Sequence, residues 1–69
     1  MTDYTRLYPM DRTPRPFVRI VLRKPDGLEY YGLTYSTHRG EIIEPITNQA
    51  ALPVLGDCIG WRYDERDHT

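Results

Sequence analysis

Cysteine is almost missing from this chain: Cys58 stands alone among 69 residues. One thiol forbids an internal disulfide, and without paired Cys-x-x-Cys clusters there is no zinc site of the usual spacing. The two histidines, His38 and His68, show neither the i, i+4 nor the His-x₃₋₅-His spacing of a metal centre. The five glycines are scattered singly, so no loop is built to cradle phosphate, and no cofactor is implied. No apolar run approaches the roughly 20 residues of a spanning helix. Met1 to Tyr4 is polar, without the apolar stretch of a signal peptide. A lone thiol and no export signal point to the cytoplasm, with no membrane as partner. Net charge is −1, which supplies no general attraction to nucleic acid.

Lysine is as scarce as cysteine, Lys24 being the only one, so the basic residues are almost all arginine. Six tyrosines stand beside them. Arginine and tyrosine are the residues that protein interfaces enrich, because each joins wide contact area to directional hydrogen bonds. A G+C-rich genome and the strand preference of tyrosine account for part of the same bias. The charges are also unevenly placed. Residues 1–40 hold seven basic against four acidic side chains, and residues 41–69 hold two against six. Such an asymmetry steers a partner or a second copy of the chain, unless it only solvates a small surface.

The stretch from Phe17 to Tyr35 reads as a β-hairpin. Pro25-Asp26-Gly27 presets the turn: proline fixes φ, aspartate bonds its own backbone, and glycine accepts φ > 0. With Gly27 as a bulge, Lys24 pairs with Leu28, Arg23 with Glu29, Leu22 with Tyr30, Val21 with Tyr31, Ile20 with Gly32 and Arg19 with Leu33. One face is then Val18, Ile20, Leu22, Leu28 and Tyr30, the expected core. The other is Phe17, Arg19, Val21, Arg23, Glu29, Tyr31, Leu33 and Tyr35. Both faces carry large side chains, so something must cover the second.

Around the hairpin, residues 1–16 form an extended arm rich in proline, tyrosine and arginine, expected to pack on the sheet or on another protomer. Residues 17–63 form the β domain and 64–69 a charged, frayed tail. A third strand starts at Glu41-Ile42-Ile43-Glu44, and Thr47–Leu52 is the only candidate helix. A last strand covers 58–63, with Ile59, Trp61 and Tyr63 on one face. The fold class is therefore mostly β: a small antiparallel meander of about four strands, SH3-like or a partly open barrel, with at most one short helix, an open sheet covered by that helix being the alternative. A domain this small buries only about 60% of its unfolded surface, so it needs a docked arm, a second copy or a partner.

No catalytic constellation stands out. Cys58 lies in a predicted strand beside Ile59 and Trp61, where cysteine is usually a small buried hydrophobe, and no third group orients His38 as its base. The carboxylate pairs have no deep cleft to hold them. The expectation is a non-enzymatic protein-binding module, able to form a homodimer. In size and style it fits the inhibitors or adaptors with which viruses and mobile elements occlude a host protein. Its partner-binding residues are expected to be Phe17, Arg19, Arg23, Tyr31 and Tyr35 on the second hairpin face, with His38 and Arg39 in the following turn. The alternative is a nucleic-acid-binding sheet that stacks bases on the same rings and grips phosphates with the same arginines. The acidic isoelectric point disfavours it.

Overall fold

The computed structural model describes residues 6–65. Its strands are β1 (Ile20–Arg23), β2 (Glu29–Ser36), β3 (Glu41–Glu44), β4 (Gln49–Ala50) and β5 (Gly60–Tyr63), with one short helix, α1 (Leu52–Leu55), before β5. They form one open antiparallel sheet in the order β4-β3-β2-β1-β5. Four strands run as a meander, and β5 returns past α1 to pair with β1. The mostly-β class and the single short helix are as the sequence predicts.

The hairpin turn closes as its residues dictate. Lys24 N–H donates to Leu28 O (2.8 Å), Asp26 Oδ1 accepts from Leu28 N–H (3.0 Å), and Gly27 takes φ 92°. Arg23 faces Glu29 and Leu22 faces Tyr30, but Ile20 then faces Leu33 instead of Gly32. Gly32, at φ 80°, absorbs one extra residue as a bulge, so Tyr31 and Gly32 together oppose Val21. Because side chains alternate with period two, a one-residue slip exchanges the faces of everything beyond it.

That slip corrects the expected face list. Leu33 turns into the core with Ile20, Leu22, Ile42, Ala51 and Trp61, and Tyr35 packs half-buried against them. Leu28, expected in the core, is exposed, as is Ile59; Val18 is half-buried. The helix also lies elsewhere. Gln49 and Ala50 pair with Glu44 and Ile43 as a strand, and α1 begins at Leu52 with Pro53 in its first turn, where a missing N–H costs no hydrogen bond.

The N-terminal segment closes the β5 edge. Tyr8 exchanges backbone hydrogen bonds with Trp61 (2.7 and 2.9 Å), and its ring stacks on the indole at 4.6 Å. Trp61 Nε1–H donates to Arg12 O at 2.8 Å. Gly60 permits this approach: a Cβ there would lie 2.6 Å from Tyr8 O. The arm thus packs on the core through Tyr8 and Met10, as α1 does through Leu55. Asp64, the first residue of the expected tail, is buried, and its N–H donates to Arg19 O at 3.0 Å. Tyr4 and His68 lie outside the described residues.

Candidate functional site

Strand pairing decides what covers the second face of the hairpin. Because β5 lies beside β1, Arg62 stands opposite Val21, in line with Arg23 and Tyr31. Glu29 is the hub. It accepts from Arg23 Nη2 (2.9 Å) and Nε (3.2 Å), from Arg62 Nε (3.1 Å) and Nη2 (3.2 Å), and from the Tyr31 hydroxyl (3.1 Å). Arg62 Nη2 also donates to the Tyr31 hydroxyl at 3.0 Å, with the guanidinium 5.6 Å from the ring centre. Hydrogen bonds from Arg62 first and Arg23 second hold the Glu29 carboxyl down at about 2. The same pairing raises Arg62 above its ordinary value. Beneath this lattice Val21 is fully buried. The face expected to await a partner is roofed here by the chain's own charges.

The expected site residues therefore do not form one surface. Arg23 and Tyr31 belong to the lattice, Tyr35 to the core side, and Arg19 is exposed before β1. Phe17 is 57% exposed and holds φ 61°, with its N–H donating to Tyr35 O at 3.0 Å. His38 is exposed in the β2–β3 turn. Arg39 reaches across to the next turn, pairing with Glu41 Oε2 at 2.7 Å and donating from Nη1 to Asn48 O at 3.0 Å. Cys58 is half-buried, and burial pushes its thiol up, away from the reactive thiolate.

That next turn, residues 45–48, was not anticipated. Glu44 Oε2 accepts from Thr47 N–H (2.7 Å) and Thr47 Oγ1–H (2.9 Å), which lowers the Glu44 carboxyl from its ordinary value. Asn48 N–H donates to Glu44 O at 2.7 Å, and Asn48 adopts φ 60°, a left-handed conformation that asparagine tolerates. With Arg39 bound to the Asn48 carbonyl, the turn is tied from both sides. At its tip Ile46 is 91% exposed. The only hint in the sequence is an aliphatic residue between Pro45 and Thr47, where turns ordinarily carry polar ones.

Beside the turn, a groove of about 260 Å³ runs between β2 and α1. Tyr30, Leu33, Ala51, Val54 and Leu55 give it apolar walls, and Glu44 is the charged group on its rim. Among the described residues, no group of His, Cys, Asp and Glu is placed to hold a metal, and no helix is long and apolar enough to cross a membrane. The chain matches no protein-family model, no curated protein and no solved structure.

Proposed function

We propose that this chain is a non-enzymatic protein-binding module that inserts its β3–β4 turn into an apolar pocket of a partner protein and occludes it. One observation carries the reading: Ile46, the most exposed large apolar side chain among the described residues, sits at the tip of a turn tied by hydrogen bonds on both flanks. Those hydrogen bonds orient a side chain that gains nothing from them within its own fold. A turn already held in its bound shape loses little entropy on docking, which is how small rigid binders gain affinity. A nucleic-acid surface is less well supported, since Arg23 and Arg62 are both committed to Glu29 and Arg39 to Glu41.

The test compares the immobilised chain with its Ile46→Asp variant in lysate from the source organism, with and without nuclease. A protein retained by the former, lost with the variant and indifferent to nuclease is the expected result. Equal retention by both chains would sink the turn as the docking element. Retention that nuclease abolishes would move the reading to nucleic acid.

A further inference from the structure

Two features remain unexplained by a docking turn, and they match each other. The first is Phe17. A bulky side chain at positive φ is a backbone outlier that glycine or asparagine would occupy with less strain. Burial does not compensate, for the ring is mostly exposed. Arg15 and Arg19 flank it, both exposed, in the basic half of the chain. The second is the β2–α1 groove, apolar along its walls and rimmed by Glu44 in the acidic half.

We infer that the groove receives Phe17 from a second copy of the chain. Size allows it: a cavity of about 150 Å³ already admits a benzene ring, and this groove is larger. Charge favours it. Glu44 meets an aromatic side chain with the exposed Arg15 two residues before it, and no basic residue lines the groove to oppose it. The docked ring would leave water without further cost to the backbone, whose strain is already present in the single chain. Arg15 contributes through a rim that salt screens, so association weakens moderately as ionic strength rises. Glu44 belongs both to the groove rim and to the turn, but Ile46 does not line the groove, so self-association does not depend on the turn's having a partner.

Molar mass measured by light scattering or sedimentation across micromolar to millimolar concentration tests this. The wild-type chain should associate. Phe17→Gly, which suits the left-handed backbone and leaves the core untouched, should weaken association at least about tenfold, as loss of an aromatic anchor does. Val54→Glu, on the open wall of the groove, should do the same. Mixing the two variants should restore a complex through the one intact pairing of ring and groove. Ile46→Asp should associate like the wild type, which separates this inference from the proposed function. A wild-type chain that stays monomeric throughout, or a Phe17→Gly chain that associates undiminished, would overturn it.

Discussion

The two ends of the sheet spend their side chains differently. Around β1 and β5 nearly everything is turned inward: Ile20, Leu22 and Trp61 are buried under Tyr8, and the arginines of the outer face are locked on Glu29. Around β3, β4 and α1 the edge strand β4 has only two residues, the helix buries no residue, and Ile46 and Val54 stand out in water. One end holds the fold and the other displays apolar surface on it. The lesson is that a domain with little core can still offer a stiff binding surface, provided that hydrogen bonds supply the stiffness.

The largest test of that division is Trp61→Ala. Removing a buried tryptophan costs about 3–5 kcal/mol, a large share of the stability of a domain this small. Far-ultraviolet circular dichroism should report an unfolded chain; a cooperative melt near the wild-type temperature would mean that the β1–β5 end is not the anchor.

Glu29→Gln comes next, at about 1–2 kcal/mol, less than a fully buried pair would lose because the lattice is partly wet. The pH dependence has a definite sign. The carboxyl titrates at about 2 in the fold against an ordinary 4.5. Its contribution is therefore complete above about pH 4.5 and is lost as pH falls through 2. Urea titrations at pH 7, 4 and 2 should show the wild-type advantage over the variant vanishing in that interval. An advantage that persists at pH 2 would place the stabilising contact elsewhere.

A smaller effect, with the opposite sign, is expected at Thr34. Its hydroxyl is buried with no hydrogen-bond partner among the described residues. Thr34→Val should stabilise by about 1 kcal/mol, since the variant no longer desolvates an unpaired polar atom. The smallest effect belongs to Ile46→Asp, which should leave the denaturation midpoint within about 0.5 kcal/mol of the wild type. A larger loss would mean that the display end contributes to the fold, and the comparison would fail there.

What could be read from the residues follows the range of the interactions involved. Pro25-Asp26-Gly27 was legible because turn chemistry is local, and the Arg23–Glu29 pairing followed from the turn. The bulge at Gly32 was hinted at by a glycine inside a strand, and missing it sent Leu33 and Tyr35 to the wrong face. The role of Arg62 was not legible at all, since it depends on β5 lying beside β1 across most of the chain. The helix was displaced because Gln49-Ala50 has the composition of a helix, and only the pairing with β3 makes it strand. Ile46 reads as one more apolar residue until its exposure is known.

Order of folding adds one consequence to the pairing of β5 with β1. The β1–β2 hairpin closes across the Pro25-Asp26-Gly27 turn, whereas Arg23 meets Gly60 only when the long intervening stretch has folded back. Closing a long loop costs more entropy than closing a short one, so β5 is the strand expected to arrive late. Until it does, one edge of β1 stands unpaired, and Ile20 and Leu22 lack the indole that covers them. Pulse-labelled hydrogen exchange during refolding should therefore protect the β1–β2 amides before those of β5, and substitutions in β5 should speed unfolding more than they slow folding.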